Sequence, residues 1–384
     1  MVNFIKNLIV SSFLVLTIIF MIIDPENIIN GVKNAILLWA TKVFPVLFPF
    51  YIFSTLAIKN GLAHIIGELL HPIIRKLFRT SSISGFVFIM SLISGNPSSA
   101  IIISQLYEEG SITINEAQHL LSFCVFTNPL FCIGTIGFAY FQNVSIGYIV
   151  LIAHIFSNIL IGIILRYNIK GQIYEKYSLK KSYKKMLIQK AKNKDNFSET
   201  ITHILQNGIN TMFLICGFMI FYHLIIVMIN SSRINIISYQ ALNLIFTIIP
   251  VEYKIYNTFF IGIFEMVLGI DNVVRSSLSL RTTVTIITML ISFGGLSIHT
   301  QIHSILYKVK LKYYPFLVSR IAQMVFGGII AYYIFPLIYN EKTIHTSNIG
   351  NIHEKERNIL LITIILLFIT VLFFLHKRKE KRCQ

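Results

Sequence analysis

Four short stretches carry residues whose types could hold a small solute. They are Asn96, Ser98 and Ser99 beside Pro97; Thr127 and Asn128 beside Pro129; Glu265 with Asp271, Asn272 and Arg275; and Gly294, Gly295, Ser297 and His299. Hydroxyls, amides and unpaired backbone N–H groups at the start of a helix suit a carboxylate, because the helix leaves partial positive charge there. Arg275 is the side-chain type best shaped for a carboxylate, and Glu265 is the group for a solute contact or a proton. Asp271 would repel an anion and reads as structural or as a proton site. Plainer roles compete. Asn96, Ser98 and Ser99 also suit the caps of a broken helix, and Arg275 paired with Asp271 or Glu265 would brace the chain. His299 is a candidate proton-responsive group. With His303 it has metal-ligand spacing, but no third ligand or His-Glu-x-x-His stretch accompanies the pair. No metal or cofactor is expected, and no Ser/His/Asp set, P-loop or dinucleotide fingerprint points to an enzyme or an ATP-driven pump.

The elements that must position these residues are apolar. Of 384 residues, 55% are hydrophobic and 13% charged, where a soluble domain carries about 25% charged residues. Mean hydropathy is +0.71. A soluble enzyme, a secreted disulfide scaffold and a disordered chain are excluded. The formal charge of +17 reads as the positive-inside bias of a membrane protein rather than as nucleic-acid binding. The four cysteines show no paired spacing and read as reduced packing residues. The N-terminal apolar run lacks a small-residue cleavage site and reads as an anchor.

Spanning a bilayer takes about 20 apolar residues. Such segments lie near 4–23, 32–58, 117–138, 144–166, 204–228, 282–304, 314–337 and 359–375, the second interrupted by Pro45 and Pro49. Residues 62–74 suggest a short interfacial helix. Two further stretches, 83–107 and 257–280, are interrupted by Ser94-Gly95-Asn96-Pro97-Ser98-Ser99 and by Leu268-Gly269-Ile270-Asp271-Asn272. Each half is too short to cross, so both are expected as re-entrant helical hairpins. The fold class is therefore an all-α polytopic membrane protein with about eight crossing helices and two such hairpins. Basic clusters at 75–79, 166–194, 308–312 and 377–382 then fall on one side, with both termini cytoplasmic. The cluster at 166–194, which includes Tyr174, Tyr177 and Tyr183, reads as a solvated or headgroup-contacting loop.

Two stretches share a layout. Ser122-Phe123 precedes the break at Thr127-Asn128-Pro129, and Ser292-Phe293 precedes Gly294-Gly295 and Ser297. His154 stands eight residues before Gly162-Ile163-Ile164, as Arg320, which reads as a bundle-facing anchor, stands eight before Gly328-Ile329-Ile330. One crossing between the copies makes the repeat inverted. The division is 1–81 (N-terminal helices), 82–166 (first repeat), 167–203 (basic loop), 204–256 (connecting helix and loop), 257–338 (second repeat) and 339–384 (C-terminal helix and basic tail). Breaking a helix in lipid leaves backbone groups unpaired at several kcal/mol each, tolerated where they line a polar cavity. Inverted repeats with broken helices point to a transporter with its site at the midplane.

The segments Leu47-Phe48-Pro49-Phe50, Gly85 through Ser94-Gly95-Asn96-Pro97, Leu121-Ser122-Phe123 with Thr127-Asn128-Pro129-Leu130-Phe131, Ile291 through Ser297, and Lys312-Tyr313-Tyr314-Pro315-Phe316 carry a resemblance. Over roughly residues 32–338 the chain resembles the sporulation integral membrane protein family of the YlbJ/SpoVV type, which carries nucleoside-recognition (gate) domains. That family is similar in organisation to concentrative nucleoside transporters. The resemblance implies export of dipicolinic acid from the mother cell across the outer forespore membrane. The partners implied are a small anionic carboxylate and the lipid bilayer, with no nucleic acid; a homo-oligomer stays open. The family's hairpin tip commonly carries a tyrosine and a lysine, which are absent from Ser94–Ile101 here. Two alternatives stand beside this one: a cation-coupled nucleoside carrier using Glu265 and Asn96, and a non-transporting sporulation scaffold.

Overall fold

The structure, a computed structural model, describes residues 2–108, 110–166, 178–192, 196–245 and 253–339. Among the described residues every regular element is a helix. The first are α1 (Val2–Ile23), α2 (Pro25–Leu38), a π-helical stretch Trp39–Val43, α3 (Phe44–Lys59) and α4 (Leu62–Phe78). Next come α5 (Ser82–Ser94), α6 (Ser98–Glu108), α7 (Ile114–Phe123), a second π-helical stretch Phe131–Tyr140 and α8 (Val144–Leu165). Then follow α9 (Leu179–Lys192), α10 (Phe197–Ser231) and α11 (Ile234–Ile245). The last are α12 (Tyr253–Phe264), α13 (Met266–Val274), α14 (Leu280–Phe293), α15 (Gly295–Lys308) and α16 (Tyr314–Ile338). The chain divides into two compact units, Met1–Tyr332 and Tyr333–Gln384. The second is described only through Tyr339, so the expected helix at 359–375 and the basic tail lie outside the described residues.

The protein is an all-α polytopic membrane protein. Five described helices are long and apolar enough to cross a bilayer, or six if the bent pair His64–Phe78 and Ile83–Ser94 is one span. Burial agrees with a lipid surrounding. Phe213, Leu214 and Phe221 on α10 and Ile321, Val325 and Ile329 on α16 are exposed, while His154, Asn158, Arg320 and Gln323 are buried. Large apolar side chains facing outward over polar ones facing inward reverse the pattern of a soluble protein.

Several expected boundaries move. The π-helical stretch sits immediately before Pro45, the residue that cannot complete an α-helical turn, and the helix runs on from Pro25 to Ala57. The interfacial helix expected at 62–74 extends to Phe78 and meets α5 at a 101° bend. A glycine pair makes that contact close: a Cβ on Gly85 would lie 2.4 Å from the Gly67 carbonyl oxygen. The stretch expected as a basic loop, 167–203, contains α9 and the start of α10. Tyr174 and Tyr177 lie outside the described residues. Cys124, Cys132 and Cys216 are buried and free.

Glu116 shows how α5 and α7 are tied together. It is 3% exposed, and its Oε1 accepts the Ser81 backbone N–H and the hydroxyls of Ser81 and Ser84 at 2.7–2.8 Å. Its own backbone N–H is held by the N-cap Thr113 at 3.2 Å. One carboxylate thereby fixes the start of α5 to the first turn of α7.

Candidate functional site: a cavity at four chain breaks

Four interruptions meet at one place. α5 ends at Ser94 and α6 begins at Ser98, with Gly95-Asn96-Pro97 between them. These halves have 13 and 11 residues, roughly 20 and 17 Å long at about 1.5 Å per residue, and neither alone spans a hydrocarbon core of about 30 Å. The second interruption lies between Phe123 and the π-helical stretch that starts at Phe131. The segment expected as a crossing at 117–138 is broken, at the place where Thr127-Asn128-Pro129 indicated.

The third interruption lies at Glu265, and the expected tip at Leu268–Asn272 is helical, inside α13. Glu265 takes an extended conformation (φ −141°, ψ 117°), and its Oε2 accepts the Leu268 backbone N–H at 2.7 Å. It is the N-cap of α13, unusual in type but ordinary in geometry. Gly269, which suggested a break, serves packing instead. A Cβ there would stand 2.3 Å from the Gly262 Cα, so the two glycines let α12 and α13 cross in contact. The fourth interruption is Gly294, which ends α14 and starts α15 in the left-handed region (φ 93°) that a glycine adopts without strain.

The breaks abut in pairs. A Cβ on Gly95 would lie 3.0 Å from the Asn128 Cβ, and one on Gly295 would lie 3.0 Å from the Met266 backbone nitrogen. Around them lies a cavity of about 80 Å³, part of it open to the outside. The first break contributes Ser94, Asn96, Pro97 and Ser98 to its wall, and the second Thr127, Asn128 and Phe131. Glu265, Met266 and Val267 come from the third, and Ser297, Ile298 and Gln301 from the turns after the fourth. Unbroken helices complete it with Val43, Leu47 and Tyr51 on one side and Thr211, Met212, Ile215 and Met219 of α10 on another.

Six of the twelve residues singled out from sequence thus line the cavity: Asn96, Ser98, Thr127, Asn128, Glu265 and Ser297. Six do not. Ser99 is buried with its hydroxyl on the Gly95 carbonyl at 3.3 Å, a helix-start contact. Asn272 accepts the Thr258 hydroxyl at 2.9 Å, bracing α13 against α12. Arg275 donates to Asp271 at 2.7 Å with a side chain 76% exposed, the pairing of the bracing role, and stands away from the cavity wall. Gly294 and Gly295 shape the backbone behind the wall. His299 accepts the Tyr313 hydroxyl at 2.6 Å and donates to the Phe293 carbonyl at 3.0 Å, satisfying an acceptor freed by the fourth break.

Sequence reasoning missed the apolar wall of α10 and Gln301. Gln301 follows Ser297 by one helical repeat and shares its face, a signal that was present. Asn128 is on the wall but committed: its amide donates to the Ile93 carbonyl at 2.9 Å and its oxygen accepts from Leu130 at 2.6 Å. Asn96 differs. Its buried side-chain oxygen has no hydrogen-bond partner, and a buried unsatisfied polar atom facing a cavity is where a ligand group pairs. The second halves that begin at Ser98, Met266 and Gly295 set helix N-termini around the same space. Glu265 already occupies that of α13.

Comparison with known proteins agrees with the motif resemblance. Residues 40–147 match the family model described as nucleoside recognition (Gate), a segment that contains the first two breaks. The chain is 26% identical over 399 aligned positions, 97% of each chain, to the sporulation integral membrane protein YlbJ of Bacillus subtilis (strain 168). No solved structure matches it.

Proposed function

We propose that this chain is a membrane carrier, not an enzyme, that passes a small carboxylate anion through the cavity at the four breaks, in the membranes of a sporulating cell. The observation that carries this reading is the gathering of the helix N-termini at Ser98 and Gly295 around one cavity, beside that at Met266, which Glu265 already caps. Half-helix N-termini supply partial positive charge without a basic side chain, and broken-helix carriers use them for anionic groups. No lysine or arginine is on the wall, so backbone N–H groups and the hydroxyls of Ser98, Thr127 and Ser297 are the donors. The paired breaks act as two re-entrant hairpin tips meeting two interrupted helices, the arrangement of an inverted repeat.

The sporulation setting rests on the similarity to the Bacillus subtilis protein, and dipicolinate on the family resemblance. A dianion leaving a negative-inside compartment moves downhill by about 2.3 kcal/mol per charge per 100 mV. Export from the mother cell across the outer forespore membrane then needs no coupling ion. The test is flux of dipicolinate and related carboxylates through purified protein in liposomes with an imposed potential. Dipicolinate flux that rises with a potential driving anions outward supports the reading; absence of flux, or a rate indifferent to voltage, overturns it.

A second reading, a nucleoside carrier, is favoured by the nucleoside-recognition match and by the carboxylate and amides of Glu265, Asn96 and Gln301 on the wall. These suit the N–H and O–H groups of an uncharged base and sugar. Nucleosides belong in the same flux panel, and preference for them over dipicolinate selects this reading.

A further inference from the structure

α9 takes no part in the cavity. It holds six lysines and no acidic residue over Leu179–Lys192. Two contacts fix it against α4. Glu68 accepts the Ser178 backbone N–H at 2.8 Å on one carboxylate oxygen and the Ser182 hydroxyl at 3.1 Å on the other. Farther along, a Cβ on Gly61 would stand 3.0 Å from the Met186 backbone, so α9 lies directly on the turn that starts α4. Ser182 and Met186, four residues apart, mark the docked face.

The neighbouring side of the helix, roughly 80° round from the docked face, carries a different pattern. Leu179, Tyr183 and Leu187 recur every four residues and are all exposed, as is Ile188. Exposed Lys180, Lys184 and Lys190 flank that stripe. On a helix of 3.6 residues per turn Leu179, Tyr183 and Leu187 form one apolar strip, with Lys180 and Lys184 along one edge, Lys190 at its end and Ile188 beyond that edge.

We propose that α9 lies in the plane of the bilayer surface and that its outer face binds anionic phospholipid headgroups. The anchoring decides where the helix can be. α4 belongs to the bent pair that is long and apolar enough to form a membrane span, so α9 is held within a helix diameter of a membrane element. The stripe Leu179–Tyr183–Leu187 enters the boundary between headgroups and acyl chains, and the lysine stems carry their charges up to the phosphates. Six lysines on a helix that holds no acidic residue select anionic over zwitterionic lipid. A nucleic acid would engage the lysines and leave the stripe in water.

The test uses the full chain in nanodiscs of phosphatidylcholine alone or with phosphatidylglycerol. A polarity-sensitive fluorophore is placed on Leu187→Cys, and identically treated wild-type protein gives the background from native cysteines. The expected result is a blue-shifted emission in the phosphatidylglycerol discs, weakened by added salt. Replacing Lys180, Lys184 and Lys190 by glutamine should abolish the shift while the melting temperature stays at the parent value; single K184Q and K190Q variants give graded losses. Emission at the aqueous value in both discs, or equal shifts that ignore the lysine changes, overturns the proposal. A shift produced by added RNA in neutral discs but not by phosphatidylglycerol overturns it in favour of a nucleic-acid partner.

Discussion

His154 on α8 and Ser292 on α14 meet through Nδ1 and Oγ, 3.1 Å apart across 138 residues of chain. On the other side of the ring, Nε2 accepts the backbone N–H of Thr127, in the second break, at 3.0 Å. An acceptor at Nε2 places the proton of the neutral imidazole on Nδ1, where it is donated to Ser292. The link continues. Arg320 on α16 donates to the Ser292 carbonyl and to the Asn158 side chain at 3.2 Å each, and Gln323 donates to the Ser122 carbonyl at 2.6 Å. Ser122 and Ser292 both lie near the ends of helices that precede breaks, so each of these helices is held from a distance: α7 by Gln323 and α14 by His154 and Arg320.

Removing the imidazole should loosen both breaks. His154→Phe keeps the volume but leaves the Thr127 N–H and the Ser292 hydroxyl unpaired in a dry interior, a loss of about 1–3 kcal/mol per group. Thermal unfolding in detergent should show a clear drop in melting temperature. An unchanged value would mean that the pair does not hold α8 and α14 together.

Arg320 is 1% exposed, and no carboxylate among the described residues pairs with it. Its charge therefore stands one layer behind the Thr127 wall with little to screen it. Arg320→Gln should raise KM for a dicarboxylate roughly tenfold, about 1.4 kcal/mol, and leave an uncharged solute much less affected. Arg320→Lys should recover most of the difference. Equal losses for charged and uncharged solutes would reduce Arg320 to a packing role.

Glu265 separates capping from charge. Glu265→Gln keeps an oxygen for the Leu268 N–H and should fold normally, whereas Glu265→Ala removes the cap at about 1 kcal/mol. If the solute is an anion, the glutamine variant should also show a lower KM for it, since the one carboxylate on the wall is gone. Melting curves and flux measured on both variants decide each point separately.

Two glycines give a paired test of the α12–α13 contact. Gly269→Ala would drive a methyl to 2.3 Å from the Gly262 Cα, whereas Gly217 on α10 has nothing within 4 Å of the same methyl. The first should destabilise by about 1–3 kcal/mol through overpacking. The second should be neutral or slightly stabilising. Similar melting temperatures for the two would contradict the close crossing.

Arg275→Gln tests the correction drawn from its position. An exposed ion pair with Asp271 is worth about 0.2–1 kcal/mol, so stability should barely change, and KM should stay at the parent value. A large KM rise would bring Arg275 back to the solute.

The breaks at Asn96-Pro97 and Thr127-Asn128-Pro129 were legible because proline and polar residues inside apolar runs have few other uses in lipid. The break at Glu265 was misplaced by only a few residues, for a reason with physical content. Glycine marks both the end of a helix and the close approach of two helices, and Gly269 does the second. Ser122-Phe123 and Ser292-Phe293 marked the approach to two breaks, but the hydrogen bonds around them were not legible, because His154, Asn158 and Gln323 reach partners far away in sequence. Wall residues such as Met212 and Met219 look like any lipid-facing methionine until the fold turns them inward.

α10 is a single helix of 35 residues, roughly 52 Å long, well beyond a hydrocarbon thickness of about 30 Å. It supplies Thr211, Met212, Ile215 and Met219 to the cavity from one uninterrupted helix. Such a rod has no joint at which to yield, while each of the four facing segments is severed at the solute. If the chain is the carrier proposed above, alternating exposure to the two sides of the bilayer is expected from the severed segments moving past α10, which would act as the stator of the machine.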